Sequence, residues 1–199
     1  MDWRRMDAGF EYRIIIRILP LLGRRYRLPK MHLQLLTGEI QEMADLQNIL
    51  EGAPDYSQRT SGSPPTPAEA QSMFTMLPPN MTHASKFVYN IYDGVTAIGC
   101  FDLIRGYPNS QTAFLGLLVV PEKFQGRGYG RRIFAEIEAL ALSWPEIERL
   151  RLCVVTTNDH VIPFWAKMGF VATGEKAKLH QSGILGEPLM FEKALPRPQ

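Results

Sequence analysis

The sequence is poor in cysteine, and this scarcity excludes architectures that are held together by disulfides or sulfur-bound metals. Its 199 residues include two cysteines, Cys100 and Cys153. Both lie in apolar, strand-like stretches, so we expect small buried side chains in a reducing compartment. Neither a disulfide framework nor a zinc site is predicted, and we expect no bound metal.

The chain also lacks a strong excess of either charge. Its 22 Lys and Arg residues stand against 20 Asp and Glu residues, for a net charge of +2. Eight of the basic and three of the acidic residues fall in residues 1–30, which leaves 14 basic against 17 acidic residues in the body. Because the body is slightly acidic, we expect no nucleic-acid partner.

No long hydrophobic run is present. The apolar stretch of the basic segment 1–30 is interrupted by Arg17 and Pro20. A membrane-spanning helix needs about 20 apolar residues, and a secretory signal needs an unbroken apolar core followed by small residues. We therefore predict no stable membrane insertion and a cytoplasmic protein.

The basic extension 1–30 has three interpretations. It is a disordered or loosely docked tail, a segment that lies on a membrane surface, or an upstream extension of the reading frame that is not native. We favour the last interpretation because Met31 begins the first patterned segment.

Residues 31–199 are predicted to form one α/β domain. Hydrophobic periodicity favours a sheet of about seven strands with helices on both faces and one parallel crossover, from 112–120 through a helix to 149–155. The Pro-, Gly- and Ser-rich segment 51–67 is predicted to be a loop. The expected strands are 32–37, 85–92, 96–104, 112–120, 149–155, 170–175 and 187–195. The expected helices are 39–50; 66–77, with Thr66 as N-cap and Pro67 as first residue; 128–142; and a short helix capped by Asn158 or Asp159 that ends at Gly169.

A glycine-rich turn, "QGRGYGRR", joins the buried strand 112–120 to the third helix. Unpaired N–H groups and the helix dipole make such a helix N-terminus an anion site, and glycine lets a phosphate approach the backbone. A P-loop requires Gly-Lys-Ser/Thr, and a dinucleotide-binding fold requires G-x-G-x-x-G early in the chain, so both are excluded. The remaining alternative is a tight turn with solvated arginines.

Two motifs together resemble the GNAT superfamily of N-acetyltransferases. The stretch "VVPEKFQGRGYGRRIF" is similar to its coenzyme A signature, Q/R-x-x-G-x-G/A, at Gln125, Gly128 and Gly130. Downstream, "TTNDHVIPFWAKMGF" resembles the second hallmark, an Asn followed by a short helix that ends in Gly-Phe. The resemblance runs from Leu33 to about Leu195. It implies a GNAT-type, mostly antiparallel central sheet that splays open.

The resemblance also implies a set of cofactor contacts. The strand exit at Leu117, Leu118 and Val119 would pair with the pantetheine arm of acetyl-CoA, where the strands carrying Leu117 and Val154 separate. The Leu118 N–H would stabilise the oxyanion, and Asn158 would contact the cofactor arm. Main-chain amides between Gln125 and Gly130 would hold the pyrophosphate, so the residues expected around it are Gln125, Gly126, Arg127, Gly128, Tyr129, Gly130 and Arg131.

The chain departs from the family pattern at the catalytic groups. Where many relatives carry a Tyr that protonates the leaving thiolate, this chain has Trp165, which cannot act as an acid at neutral pH. We interpret Trp165 as a residue that packs against the cofactor or the core. Water would then protonate the thiolate. The strand 112–120 offers no base, so Asp102 is the candidate base or water relay. The alternative for Asp102 is an edge-facing or turn-bonding acid.

The expected activity is direct transfer of the acetyl group of acetyl-CoA to a primary amine on a small molecule or peptide. Asp55 and Tyr56, in the loop expected between the first two helices, are the candidate acceptor-binding residues; a solvated loop is the alternative. The competing hypothesis is a catalytically weak or inactive GNAT-fold module that binds or senses acetyl-CoA. Since relatives often dimerise, we also expect a homodimer.

Overall fold

The computed structural model of the chain describes residues 31–176 and 184–196. The predicted basic extension 1–30 lies outside the described residues. The strands are β1 Met31–Leu35, β2 Lys86–Asp93, β3 Thr96–Arg105, β4 Thr112–Val119, β5 Arg149–Val155, β6 Val171–Lys176 and β7 Pro188–Ala194. The helices are α1 Ile40–Glu51, α2 Pro54–Ser61, α3 Glu69–Thr75, α4 Tyr129–Leu142 and α5 Ile162–Lys167, with 3-10 turns at His83–Ser85, Glu122–Phe124 and Thr156–Val161.

The described strands form one sheet in the order β1-β2-β3-β4-β5-β7-β6. All neighbours are antiparallel except β4 and β5. This parallel pair is the predicted crossover, and α4 makes the connection. The predicted seven-stranded, mostly antiparallel α/β sheet is confirmed.

The sheet opens between β4 and β5. Their pairing runs from Thr112 opposite Arg149 to Leu115 opposite Leu152 and stops there. On its other side β5 stays paired with β7 as far as Val155. The last half of β4 therefore has no β5 partner, and the expected separation of the two strands is present.

Helices cover both faces of the sheet. Cys100 and Phe101, neighbours on β3, belong to opposite layers, as the alternation of strand side chains requires. One layer holds α4 and α5 and the other holds α1 and α3, with Tyr56 of α2 packed against the second. The helical residues buried in the first layer are Ile133, Phe134, Ile137, Ala141 and Trp165, and those in the second are Leu46, Ile49, Leu50 and Ala70.

The segment 51–67 is not a loop throughout, as its composition predicted, because α2 occupies half of it. Pro54 stands in the first turn, where its missing N–H costs nothing. Gly62 ends the helix with φ 73°, a left-handed conformation that glycine adopts without strain. Pro54 and Gly62, whose types favoured a loop, therefore mark the two ends of a helix.

Two other helix starts differ from their predictions. Ala68 is the N-cap of α3, and the Thr66 hydroxyl bonds the Glu69 side chain at 3.2 Å instead of capping the backbone. Val161 precedes α5, and no side chain caps it. Neither Asn158 nor Asp159 caps this helix, because both lie in the 3-10 turn Thr156–Val161.

The cysteine prediction holds for one of the two residues. Cys100 is fully buried, whereas Cys153 is half-buried and faces a cavity described below. No helix within the described ranges is long and apolar enough to cross a membrane.

Candidate functional site

A cavity of about 660 Å³ lies where β4 and β5 separate. Its walls come from both faces of the sheet: α2 lines it from one side, and the start of α4, the turn Thr156–Val161 and α5 line it from the other. Since strand residues 115–119 and 152–154 line it as well, the cavity passes through the sheet. All of the predicted site residues except Asp102 and Arg127 line this cavity.

The turn between β4 and α4 presents unpaired main-chain donors at one mouth of the cavity. The Gln125 N–H donates to the Glu122 carbonyl at 3.0 Å, and the Arg132 N–H donates to the Gly128 carbonyl at 3.3 Å. Between them, the N–H groups of residues 126–131 donate to no acceptor in the described part of the chain. The N–H groups without a described acceptor are thus those of residues 126–131, whereas the sequence predicted donors from Gln125 to Gly130.

The Gln125 side chain supports this turn from behind. Its Nε2 donates to the Val120 carbonyl at 2.9 Å. The side chain that carries the first position of the motif therefore ties the turn to the end of β4, and its main-chain N–H is also engaged. Gln125 acts here by holding the turn in shape.

Two glycines give the turn its open shape. Gly126 and Gly128 have φ values of 72° and 81°, in the left-handed region that favours glycine. No atom outside the adjacent backbone lies within 4 Å of where a Cβ would stand on either one. The space above the free donors is large enough for a phosphate to approach the backbone.

Positive charge and a tyrosine surround the turn. Arg131 and Lys167 line the cavity, and Arg127 is exposed beside it. The Tyr129 hydroxyl donates to Asp93 Oδ2 at 2.5 Å, and this hydrogen bond raises the pKa of Tyr129. The bond ties the first residue of α4 to the β2–β3 hairpin, and so fixes the helix N-terminus.

Asn158 is a buried polar residue that faces the cavity. It is 8% exposed, its φ and ψ of −118° and 29° are non-helical, and its side chain bonds no other described residue. Buried side-chain amides are normally paired. The side-chain amide of Asn158 is therefore available to a ligand.

Trp165 lies at the edge of the aromatic core. It is 8% exposed and contacts the rings of Phe134, Phe164 and Phe170 with centroid distances of 6.0, 4.9 and 5.5 Å. All three contacts are close to edge-on. The indole thus separates the cavity from the α4/α5 layer.

Asp102 is buried beside β4. Its carboxylate lies 2.9 Å from Lys86 Nζ, and both side chains are nearly inaccessible. Burial raises the pKa of Asp102, and the Lys86 cation and a hydrogen bond from the Leu117 N–H oppose this rise. Asp102 is neither edge-facing nor turn-bonding, and its carboxylate is already engaged.

The Asp102 carboxylate also explains a glycine in β4. A Cβ on Gly116 would stand 2.6 Å from Asp102 Oδ1, so only glycine leaves room for the carboxylate. The pairing of β3 with β4 is irregular at this point, where Asp102 faces Leu117 and Leu103 faces Leu115. Gly116 is the extra residue of a β-bulge, and Asp102 binds the amide that follows it.

Asp55, Tyr56 and Arg59 of α2 line the other mouth of the cavity. The Asp55 N–H donates to Glu122 Oε1 at 3.0 Å, which joins α2 to the end of β4. Burial raises the pKa of Tyr56 far above its usual value, so the phenol stays protonated. Its hydroxyl donates to no described acceptor.

Four ionisable residues of the cavity were not predicted from the sequence as site residues: Arg59, Cys153, His160 and Lys167. Arg59 lies in the segment that was predicted to be a loop. Burial raises the pKa of the Cys153 thiol to about 11, so it remains protonated at neutral pH. His160 is exposed at the cavity rim, and in the sequence it stood out only as a residue in the first turn of the expected short helix.

The described residues contain no group of three or more His, Cys, Asp or Glu side chains that could hold a metal ion.

A family comparison matches more than half of the chain. The model of the acetyltransferase (GNAT) family matches residues 48–170, a range that includes α2, the glycine turn and α5. No curated protein sequence matches the chain significantly.

Solved structures share the fold. An acetyltransferase from Thermus thermophilus has a TM-score of 0.61 at 23% identity, covering 82% of this chain and 97% of its own. A spermidine N-acetyltransferase from Vibrio cholerae, solved with CoA and spermine, has a TM-score of 0.62 at 14% identity, with coverages of 83% and 95%. A Bacillus subtilis acetyltransferase solved with CoA has a TM-score of 0.54 at 15% identity, with coverages of 84% and 100%.

Proposed function

The chain belongs to the acetyltransferase (GNAT) family, and from this premise we propose that it transfers the acetyl group of acetyl-CoA directly to a primary amine. The observation that carries the proposal is the cavity between β4 and β5, which has free main-chain donors at one mouth and polar side chains of α2 at the other. A donor and an acceptor entering from opposite faces would meet inside the sheet. A ternary complex with direct transfer fits this arrangement.

The donor set fits acetyl-CoA. Amides of residues 126–131 at the N-terminus of a 14-residue helix suit a pyrophosphate, and Arg127 and Arg131 add positive charge. The Asn158 amide and the unpaired half of β4 suit the amide groups of a pantetheine arm. The Leu117 N–H is directed at Asp102 of β3. Because the main-chain groups of successive strand residues point to alternate sides, the N–H and carbonyl of Leu118 are better placed to meet this arm than those of Leu117.

The reaction needs few groups from the chain. The cofactor supplies a thioester, whose carbonyl carbon the amine nitrogen attacks. We assign the Leu118 N–H to the developing oxyanion. The carbon–sulfur bond then breaks, and water takes the amine proton and protonates the thiolate, whose thiol form has a pKa of about 8.5. Asp102 does not line the cavity and fits a positioning role better than a base.

A test of the proposal is thiol release by the full chain with acetyl-CoA and a panel of primary amines that includes polyamines, amino acids, peptides and aminoglycosides. We expect release of CoA above the rate of acetyl-CoA hydrolysis and an acetylated product in the mass spectrum. The spermidine N-acetyltransferase of similar fold supports including polyamines. If acetyl-CoA binds and no amine is acetylated, the proposal is wrong.

The alternative is a module that binds or senses acetyl-CoA. The packing of Trp165 among three rings favours it, since no tyrosine stands at the acid position. Such a module would bind acetyl-CoA without turnover, so the same assay separates the two functions. The proposed cytoplasmic location and homodimer remain predictions.

A further inference from the structure

We propose that the acceptor carries a carboxylate as well as the reacting amine, and that Arg59 binds this carboxylate. The inference rests on the proposed function and names the substrate class for the same cavity: amino acids and related amino carboxylates. It is argued from the position of Arg59, from its lack of a partner and from the charge on the same face of α2.

Arg59 lies on the acceptor side of the sheet. The helix α2 begins beside β4, where the Asp55 N–H donates to Glu122. It ends beside the C-terminal end of β5, where the Thr60 carbonyl accepts from Leu185 and α2 contacts the turn Thr156–Val161. The helix therefore spans the opening between the strands, on the face opposite α4. A guanidinium there is placed for the acceptor and not for the pyrophosphate.

Arg59 is unpaired. It lines the cavity, yet it forms no ion pair or hydrogen bond with any residue in 31–176 or 184–196. By contrast, Arg105, Arg149 and Arg151 each form an ion pair. A planar guanidinium with five donors matches a carboxylate in a two-pronged hydrogen bond.

Asp55 supplies the opposite charge on the same face of the helix. It stands four residues before Arg59, a spacing that places two side chains on one face, and both line the cavity. Asp55 and Arg59 do not pair with each other, although their types and spacing allow it. A carboxylate and a guanidinium that have no partner in 31–176 or 184–196 match the ammonium and carboxylate groups of a zwitterion.

The Tyr56 hydroxyl extends this pattern. It stands between the two charges in the chain, lines the cavity and donates to no described acceptor. Its phenol stays protonated because burial raises its pKa. It is therefore a further hydrogen-bond donor for a carboxylate or a carbonyl.

The experiment compares matched acceptors in the thiol-release assay with the full chain. Each set consists of an amino acid, its carboxamide and the amine without the carboxyl group. Suitable sets are leucine, leucinamide and 3-methylbutylamine, and phenylalanine, phenylalaninamide and phenethylamine. We expect kcat/KM to be about 10- to 100-fold higher for the amino acid, since a charge-assisted hydrogen bond contributes about 1.5–3 kcal/mol.

Variants identify the residue responsible. Arg59→Gln should remove this preference and leave the carboxyl-free amines unchanged, and Arg59→Lys should restore part of it. Asp55→Asn should instead lower kcat/KM for all the amines. Lys123→Gln is the matched control, because Lys123 is an exposed cation near the site that does not line the cavity, and we expect it to keep the preference.

Equal rates for all three members of each set would overturn this inference and leave the proposed function standing. A rise in KM for acetyl-CoA alone in Arg59→Gln would overturn it as well, because Arg59 would then bind the cofactor. If none of the amines is acetylated, the proposed function fails and this inference fails with it.

Discussion

At the scale of single residues, the glycine turn acts through its backbone. Gly126 and Gly128 hold left-handed φ values, and the amides that follow them have no acceptor among the described residues. A side chain at Gly128 would occupy open space, which is the space that the pyrophosphate takes in the proposed complex. In that complex the position depends on the absence of a Cβ.

We predict that Gly128→Val weakens acetyl-CoA binding by more than about 100-fold, or about 2.7 kcal/mol. Strain at a positive φ also costs about 1–3 kcal/mol of stability. Gly106→Val is the control, because Gly106 has a φ of 77° and equally open surroundings but does not line this cavity. Calorimetry should show lost binding for Gly128→Val alone. Equal binding losses in the two variants would mean that strain, and not the phosphate site, is responsible.

A substitution of Trp165 tests whether this residue acts as the general acid that protonates the leaving thiolate. We predict that Trp165→Phe keeps kcat within about threefold, because an indole N–H is not the proton donor, whereas loss of a general acid costs about 10²–10⁴-fold. Steady-state kinetics with the best acceptor is the measurement. A fall in kcat of a hundredfold, with an unchanged KM and melting temperature, would assign Trp165 a direct part in the chemistry.

At the scale of the element, β4 is shaped by a buried ion pair. Asp102 occupies the space left by Gly116 and binds the Leu117 N–H, while Lys86 neutralises it. The extra residue of the β-bulge, Gly116, lies two residues before Leu118, the proposed oxyanion donor. Asp102, which is the candidate base predicted from the sequence, thus stabilises the conformation of β4.

Lys86→Met should destabilise the fold by about 3–5 kcal/mol at pH 8, because it leaves a buried carboxylate without its cation. Burial already raises the pKa of Asp102, and Lys86 opposes the rise, so the variant raises it further. An acid whose folded pKa lies above the unfolded value of about 3.9 loses stability as the pH rises through the folded pKa.

The difference in the free energy of unfolding between Lys86→Met and the native chain should therefore become smaller as the pH falls from 8 to 5. Urea unfolding at both pH values measures it. Tyr56 and Cys100 are the other titratable groups near Asp102, and burial keeps both protonated across this range. If the difference in the free energy of unfolding does not change with pH, Asp102 does not become protonated in the folded variant between pH 8 and pH 5.

At the scale of the whole molecule, local signals predicted the strands and the glycine turn before α4, because periodicity and glycine spacing are local properties. They missed α2, whose position depends on distant partners. Glu122 accepts from the Asp55 N–H, and Leu185 donates to the Thr60 carbonyl. In the sequence, Pro54 and Gly62 are as typical of a loop as they are of the two ends of a helix. Arg59 was not predicted because the helix was not, although Asp55 and Tyr56 of the same segment were predicted as site residues and line the cavity.

The continuity of the cavity through the sheet predicts how ligands stabilise the molecule. At about 100 times its Kd, a ligand adds about 2.7 kcal/mol to the free energy of unfolding, which is about 5–10 °C in Tm for a chain of this size. In the proposed complex acetyl-CoA contacts the turn and, through its arm, both separated strands, whereas ADP offers only the diphosphate end. We therefore expect a much larger shift with acetyl-CoA than with ADP at equal concentration, and neither shift in Gly128→Val. Thermal unfolding of the full chain measures both, and equal shifts for the two ligands would mean that the arm does not enter the sheet.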